Sequence, residues 1–263
     1  MILALAAVGM HFADSSQGIS QPALDKSKVN AAHVRKGDSD WLQAQKEVCA
    51  SQNLIEGRLS ALKPSELRNS VLREGNSDRK EIVLTFDDGP HPKFTQGLLK
   101  ILKSENVTAT FFVVGFMAEK YPDLVRAIKN GGHEIGNHTY SHVTLTKIPS
   151  DQVLTEYRAN NDVISRITGA NVKYCRPPGG DFNGDVLRDS TSLGLTTVLW
   201  TDDPGDYSNP GDDVLYDREV AKLEPGAIVL LHDGSQNTLD TLQKFIQTAK
   251  RRGYKFVSLD RFR

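Results

Sequence analysis

The chain has 263 residues, of which 38% are apolar, and a formal net charge of -1. This length and composition suffice for one large α/β domain with a small additional segment, and they exclude a disordered, collagen-like or disulfide-dense protein. Because the net charge is close to zero, we expect no basic surface that attracts nucleic acid or an anionic membrane. The same balance argues against a substrate that is held mainly by its charge.

The chain begins with an apolar run, Met1 to Met10, and a polar stretch then extends to residue 37. The run is too short to span a bilayer as a helix but has the length of a signal-peptide core, which predicts an exported protein. It lacks preceding basic residues and a good cleavage site at Ala13, so a truncated signal and a short buried segment are both compatible with it. The sequence has no other long apolar run, and we therefore expect no stable membrane span.

Residues 38–79 predict a helical appendage. Apolar residues recur at spacings near three and four from Trp41 to Leu62, which is typical of a helix with one partly apolar face. Pro64 ends this helix, and residues 65–72 predict a second short one. Covering the bottom of the main domain and self-association are both compatible roles. Cys49 lies here, and with Cys175 it is compatible with one disulfide or with two buried thiols.

Residues 80–263 alternate short β-rich runs with helical patterns. The predicted strands are Glu81–Phe86, Thr108–Val114, Glu134–Gly136, Val172–Cys175, Leu195–Leu199, Ala227–Leu231 and Lys255–Val257. Predicted helices include Phe94–Lys103, one capped by Ser150, and a last one closed by Gly253. Such alternation is typical of a parallel sheet, and seven strands favour a (β/α) barrel, open or distorted. Reactive residues are then expected at the C-terminal ends of the strands.

Two adjacent carboxylates, Asp87 and Asp88, follow the first predicted strand in the segment Thr85-Phe-Asp-Asp-Gly-Pro90. At a strand end, one of them can bind a metal ion while the other stays available as a base. Since Asp, Gly and Pro also form ordinary turns, the segment alone is compatible with a plain turn.

Two histidines, His138 and His142, follow the third predicted strand. At this spacing both side chains lie on one side of a helical turn, which suits binding of an ion such as Zn²⁺. The segment lacks the glutamate of the HExxH pattern, so the base is expected from another strand end. A lone HxxxH is often incidental, but the carboxylate pair at another strand end favours a metal site.

Three further reactive segments follow predicted strands. Arg176-Pro-Pro-Gly-Gly180 brings a guanidinium that can bind a carboxylate and glycines whose N–H groups can approach a substrate oxygen. Trp200-Thr-Asp-Asp-Pro-Gly-Asp-Tyr207 brings three carboxylates, and the sixth strand delivers His232 at its end. Taken singly, the first is compatible with a plain loop and the last with a structural histidine.

The five segments, in this order, resemble those of the NodB-homology polysaccharide deacetylases, carbohydrate esterase family 4. The resemblance covers roughly residues 80–260 and implies a distorted (β/α)7 barrel. By the same resemblance, Asp88, His138 and His142 would bind one divalent metal ion, zinc first, with cobalt, manganese or nickel as alternatives. Asp87 would be the general base, and Arg176 would orient it and keep it ionised.

The resemblance also implies an acid and a substrate pocket. His232 would be the general acid, with its ring held by Asp203. The backbone N–H of Gly179 would contact the oxyanion, and Leu230 and Tyr207 would line the acetyl pocket. Two positions depart from the family, in which an aromatic residue is common at Gly179 and a tryptophan is usual at Tyr207. These departures bear on the width of the cleft and on substrate preference.

The expected reaction is removal of N-acetyl groups from N-acetylglucosamine-type units of an extracytoplasmic glycan. Peptidoglycan is the preferred substrate, followed by chitin oligosaccharides and then by O-acetylated xylan. The alternatives are an inactive glycan-binding protein on the same scaffold, a phosphoesterase with two metals, and a glycoside hydrolase that uses two carboxylates. The sequence leaves the oligomeric state open.

Overall fold

The computed structural model of the chain describes residues 52–68 and 70–263, with side chains from residue 55 onward. The signal-like run, the polar stretch to residue 37, the first part of the predicted appendage and Cys49 lie outside the described residues. Within the described ranges, no helix is long and apolar enough to cross a membrane. Cys175 is buried as a free thiol.

The barrel wall is a single sheet of eight parallel strands. The strands are β1 Val71–Leu72, β2 Glu81–Asp87, β3 Thr110–Val113, β4 Glu134–Asn137, β5 Tyr174–Cys175, β6 Thr196–Val198, β7 Ile228–His232 and β8 Lys255–Phe256. Their order is β1-β6-β5-β4-β3-β2-β7, with β8 paired to β2. After β6 the chain runs toward β7, where Asp202 forms a parallel bridge with Val229. This curled sheet confirms the predicted distorted barrel.

Helices surround this sheet. They are α1 Gln52–Ser60, α2 Pro64–Leu67, α3 Thr95–Ser104, α4 Gly115–Lys120, α5 Pro122–Asn130, α6 Ser150–Thr168, α7 Gly184–Ser192, α8 Asp212–Ala221 and α9 Gln236–Arg251. One-turn 3-10 helices form at Leu145–Lys147, Pro178–Gly180, Asp206–Ser208 and Leu259–Arg261. Each long helix buries an apolar face, as in α9, where Leu242, Phe245 and Ile246 are fully buried.

Side chains alternate between the two faces of each strand, as a period of two requires. In β2, Leu84 and Phe86 pack in the apolar cluster that contains helix residues such as Phe245. Val83 lies in the second cluster, with Phe112. The same alternation in β2 puts Asp87 on the face of Val83, inside the barrel. This is how a plain hydrophobic strand delivers a carboxylate to the interior.

Two local expectations are wrong. The helix predicted over residues 65–72 ends at Leu67, and Val71–Leu72 pairs with β6 through bonds such as Thr197 N–H to the carbonyl of Ser70 at 2.8 Å. Residues 71 and 72 form a strand because the edge of β6 offers them a hydrogen-bonding partner, and β6 is more than 120 residues away in sequence. Ser150 does not cap α6, because it is the first helical residue and its hydroxyl donates to Asp189 at 2.6 Å.

Candidate metal centre and active site

The segments selected from the sequence meet at the C-terminal edge of the barrel. Asp87 is the last residue of β2 and His232 the last residue of β7, and the two are register partners on adjacent strands. His138 follows β4 directly, and Arg176 follows β5. Because parallel strands end at the same edge, residues far apart in sequence become neighbours here.

Three of these side chains form a compact ligand group. Asp88, His138 and His142 each offer one ligand atom, and these atoms lie within 4.8 Å of one another. Oδ1 of Asp88 is 3.2 Å from Nε2 of His138 and 3.0 Å from Nε2 of His142. All three side chains are at least 95% buried, with exposures of 4%, 0% and 5%. The arrangement matches the nitrogen and oxygen donor set that binds zinc and similar ions.

The two histidines do not lie on a helical turn, and the helical turn predicted for them is wrong. The chain leaves β4 in a tight turn in which Thr139 has φ 64° and His142 has φ 57°. Asp88 is also left-handed, with φ 71°. Left-handed conformations are strained for residues with a side chain, and such strain persists where the surroundings enforce it, often at functional sites.

The tautomer of His138 supports a cation at this position. Its Nδ1 lies 2.7 Å from the carbonyl oxygen of Arg176, which can only accept, so the proton is on Nδ1. In the neutral ring, Nε2 then presents a lone pair toward the Asp88 carboxylate. A lone pair and a carboxylate repel each other unless a cation lies between them, and a second hydrogen bond of this kind is usual for metal-binding histidines. The residues present therefore fit a divalent ion.

Helix α6 holds the ligand turn in place. The carboxylate of Glu156 accepts the N–H groups of Tyr140 and Ser141 at 2.9 and 2.8 Å. Asn160 donates to the carbonyl of Thr139 at 2.8 Å. Neither Glu156 nor Asn160 was predicted from the sequence as a site residue. The sequence contained one indication of their role, since both polar residues occupy positions in the apolar stripe of α6.

Asp87 is held by the fully buried side chain of Arg176. Nη1 of Arg176 donates to Oδ1 of Asp87 at 2.8 Å and to the hydroxyl of Thr85 at 2.7 Å. Its Nε donates to the carbonyl of Val198 at 3.1 Å, and its guanidinium lies over the Phe112 ring at 4.3 Å. Desolvation lowers the pKa of Arg176, while the charge of Asp87 opposes this effect. The hydrogen bonds of the guanidinium hold Arg176 and the Asp87 carboxylate in fixed relative positions.

His232 is braced by Asp206, and the expectation that Asp203 holds its ring is wrong. Nδ1 of His232 lies 2.7 Å from Oδ1 of Asp206, and the backbone N–H of His232 donates to Oδ2 at 2.8 Å. Asp203 instead accepts the N–H of Gly205 at 2.9 Å. With Gly205 at φ 76°, the chain turns so that Asp206 rather than Asp203 faces the imidazole.

The remaining predicted residues lie close by. Gly179 and Gly180 have φ values of 63° and 60°, a left-handed pair that glycine adopts without strain. The ring of Tyr207 meets that of His232 edge to face, with centroids 5.6 Å apart. Leu230 is buried two residues before His232 and therefore faces the barrel interior on the same side of β7.

The charges of the site perturb its titration. Burial opposes protonation of His232, yet Asp206, Asp88 and Asp87 together raise its pKa to about 10. The imidazole of His232 is therefore protonated at neutral pH, at a position opposite Asp87 on the neighbouring strand.

The sequence matches the polysaccharide deacetylase family over residues 74–198. It is 36% identical over 189 residues to a peptidoglycan-N-acetylglucosamine deacetylase of Bacillus cereus. This alignment covers 70% of this chain and 69% of the relative. It is 39% identical over 201 residues to a chitooligosaccharide deacetylase of Rhizobium leguminosarum bv. trifolii. This alignment covers 71% of this chain and 93% of the relative.

Among solved structures, the fold is similar to that of a CE4 family pseudoenzyme from Bacillus anthracis. The TM-score is 0.72 at 29% identity, over 75% of this chain and 70% of the other. A curled parallel barrel with an Asp-His-His group at its C-terminal edge defines a metal-dependent hydrolase. The chain belongs to the polysaccharide deacetylase family, carbohydrate esterase family 4.

Proposed function

We propose that the protein is a metal-dependent N-deacetylase that hydrolyses the acetamide of N-acetylglucosamine-type units in a cell-wall glycan. The observation that carries this proposal is the geometry of the barrel edge. There the three-ligand Asp88-His138-His142 group lies beside Asp87 and next to the charged His232. Three protein ligands leave positions open for water and substrate, as hydrolysis requires.

A divalent ion in this group would supply a Lewis acid that polarises the acetamide carbonyl and lowers the pKa of a water molecule. Asp87 takes a proton from the attacking water, and Arg176 keeps the carboxylate oriented. Two hydrogen bonds from one guanidinium nitrogen, to Thr85 and to Asp87, support this role because they leave Oδ2 of Asp87 on the side of His138, 3.8 Å from its Nε2.

His232 gives a proton to the amine nitrogen as the carbon–nitrogen bond breaks. Its raised pKa supports this role, because the ring is protonated at neutral pH before the reaction begins. The N–H of Gly179 donates to the oxyanion that forms at the acetyl carbon. Leu230, on the same face of β7 as His232, and Tyr207, whose ring meets the imidazole edge to face, form the pocket for the acetyl methyl group.

We propose zinc as the resident ion, with cobalt, manganese or nickel as substitutes, since two imidazoles and one carboxylate suit all four. Within the described residues, Asp88, His138 and His142 are the single group of three or more clustered ligands. The expected content is therefore one metal ion per chain. A phosphoesterase with two metals needs a second ligand set and would contain two.

We propose an exported enzyme with peptidoglycan as its substrate, chitin oligosaccharides as the second choice and O-acetylated xylan as the third. The names of the two curated relatives support an N-acetylglucosamine polymer in either of the first two cases. Acetate release from peptidoglycan and from chitin oligomers, each with chelator or with added zinc, separates these choices. Zinc-dependent release from chitin oligomers alone would overturn the choice of peptidoglycan and leave the chemistry intact.

The variant that tests the mechanism is Asp87→Asn. It keeps the size of the side chain but removes the proton acceptor, so we expect kcat to fall by roughly a thousandfold with one metal ion still bound. Acetate release and elemental analysis measure the two quantities. Asp123→Asn, at a side chain that is 91% exposed in α5, is the matched control and keeps full activity. A fully active Asp87→Asn enzyme would contradict the proposal.

A different class of function, an inactive glycan-binding protein, is favoured only by the similarity to a pseudoenzyme. Against it, the ligand group, the carboxylate Asp87 and the paired His232 are all in place. Wild-type protein that binds glycan and one metal ion but releases no acetate would establish this second candidate.

A further inference from the structure

We propose that Arg58, in helix α1, is a positioning residue for the active-site loop that carries Gly179, and that it acts through Asp181. The inference rests on the proposed function, in which the Gly179 N–H donates to the oxyanion. It gives the described helices of the appendage, which lie within residues 52–68, a part in catalysis instead of a role as a cover for the bottom of the barrel or as a surface for self-association.

Arg58 holds two consecutive residues of the loop. Its Nη1 donates to the carbonyl oxygen of Phe182 at 2.9 Å, and it forms an ion pair with Oδ1 of Asp181. The side chains are 26% and 12% exposed, so water screens the pair only in part. A charge-assisted contact that also bonds the backbone restrains both the side chain and the main chain of the loop.

The second carboxylate oxygen of Asp181 reaches the segment that follows the ligand turn of His138 and His142. It accepts the hydroxyl of Thr146 at 2.5 Å. Thr146 lies in the 3-10 helix Leu145–Lys147, which begins three residues after the ligand turn ends at His142. Asp181 therefore joins the loop after β5 to the loop after β4, and Arg58 fixes and neutralises the carboxylate at this junction.

Apart from the two backbone hydrogen bonds of its 3-10 turn, the Gly179 loop depends on contacts at its two ends. Two adjacent left-handed glycines carry no side chains that could pack, and glycine has more conformational freedom to lose than any other residue. The N-terminal end of the loop is fixed by Arg176, which is fully buried. Fixing the C-terminal end falls to Asp181 and to Phe182, whose ring is buried.

Packing places Arg58 independently of its ion pair. Ile55, one turn earlier in α1, is fully buried in a cluster that includes Phe182 and Leu187 of α7. At Gly184, the first residue of α7, a Cβ would lie 2.9 Å from Oε1 of Glu66 and 3.5 Å from Leu62. The appendage thus lies directly on the start of α7, and truncating Arg58 removes the link without undocking α1.

The experiment compares Arg58→Ala and Arg58→Lys with Arg73→Ala in the full chain. Arg73 pairs with Glu56 of α1 at 3.0 Å, so Arg73→Ala removes an ion pair of the appendage that does not touch the Gly179 loop. For each variant we would measure kcat and KM, metal content, Tm, and amide hydrogen exchange of the peptide that spans residues 177–182.

For Arg58→Ala we expect kcat to fall about tenfold, because a displaced oxyanion donor acts in the transition state more than in substrate binding. KM and metal content stay near wild type, Tm matches that of Arg73→Ala, and exchange in residues 177–182 becomes faster. Arg58→Lys recovers part of kcat, and Arg73→Ala keeps wild-type kcat and exchange. In a variant that also carries Asp181→Asn, Arg58→Ala costs little further activity, since both changes break one link.

Equal kcat and equal loop exchange in Arg58→Ala and Arg73→Ala would overturn the inference. So would a fall in kcat that merely follows loss of metal or a lower Tm. A wild-type enzyme that binds metal but releases no acetate would instead refute the proposed function. In that case, unchanged exchange of residues 177–182 in Arg58→Ala would also reject Arg58 as an anchor of the loop. Faster exchange would support Arg58 as an anchor although the proposed function had failed.

Discussion

At the scale of single residues, one carboxylate sets the orientation and the charge of His232, the proposed general acid. Asp206 accepts from the ring and from the backbone N–H of His232, and the hydroxyl of Thr238 donates to it at 2.5 Å. Asp203, three residues earlier, shapes its own loop instead, and burial raises its pKa to about 6. Two aspartates in one short segment therefore differ in function because only one faces the imidazole.

Replacing Asp206 by Asn should lower the pKa of His232, since burial opposes the charged ring and the main opposing carboxylate is gone. An acid must be protonated, so activity is lost as the pH rises through its pKa. The alkaline limb of the profile of kcat/KM against pH should move to lower pH by at least about one unit.

Asp203→Asn is the matched control for this experiment, because it changes a neighbouring carboxylate without a bond to the ring. Its alkaline limb should move much less. A limb that shifts equally in both variants, or in neither, would show that Asp206 does not set the charge of His232.

At the scale of elements, α6 supports the turn that carries His138 and His142, the candidate metal ligands. The turn contains left-handed Thr139 and His142, which cost on the order of 1 kcal/mol each. Glu156 offsets this cost with bonds to two backbone N–H groups and to the hydroxyl of Ser141, the last at 2.5 Å. A strained ligand turn is thus held by a helix that contributes no ligand itself.

Glu156→Gln should therefore weaken metal binding although it leaves every ligand in place. One carboxylate oxygen becomes an NH₂ group that faces donors, so the turn relaxes and we expect zinc affinity to fall by about 10 to 100-fold. Competition with a chromophoric chelator measures this affinity. Asp162→Asn, on the exposed side of the same helix, should leave it unchanged. Wild-type affinity in Glu156→Gln would reject a role of α6 in the site.

At the scale of the whole molecule, the junction between β6 and β7 contains buried acids. Asp202 is 1% exposed, and within the described part of the chain neither carboxylate oxygen has a hydrogen-bond partner. Burial raises its pKa to about 8 and that of nearby Glu219 to about 9. Both groups are therefore neutral in the folded protein at pH 7, and ionising them opposes the fold.

Stability should consequently fall as the pH rises toward 9. In the unfolded chain Asp202 ionises near the ordinary aspartate pKa of 3.8, so between that pH and about 8 the folded state binds more protons than the unfolded state. Asp202→Asn removes this proton linkage. We expect the variant to exceed wild type in free energy of unfolding by on the order of 2 kcal/mol at pH 8, and by less at pH 5.

Urea unfolding at several pH values measures this difference. Asp213→Asn, at an exposed position of α8, is the control and should follow the wild-type pH dependence. If wild type and Asp202→Asn lose stability in parallel from pH 5 to 9, the carboxyl group of Asp202 is not neutral in the fold.

The main elements of the barrel could be predicted because their signals are local. The apolar runs gave seven of the eight strands, and the parallel sheet then placed Asp87, His138 and Arg176 at one edge. The missed strand, Val71–Leu72, has only two residues and becomes a strand because β6 offers it a partner. No pattern within so short a segment specifies a distant partner.

The sequence by itself determined the periodicity of the strands and helices and the chemistry of the motifs, because both depend on near neighbours along the chain. Only the tertiary structure decided which side chains support the motifs. Asp206 rather than Asp203 meets His232, Glu156 reaches a turn 15 residues away, and Arg58 bonds a carbonyl 124 residues away. Such contacts depend on how packed elements are oriented in space, which local patterns do not encode.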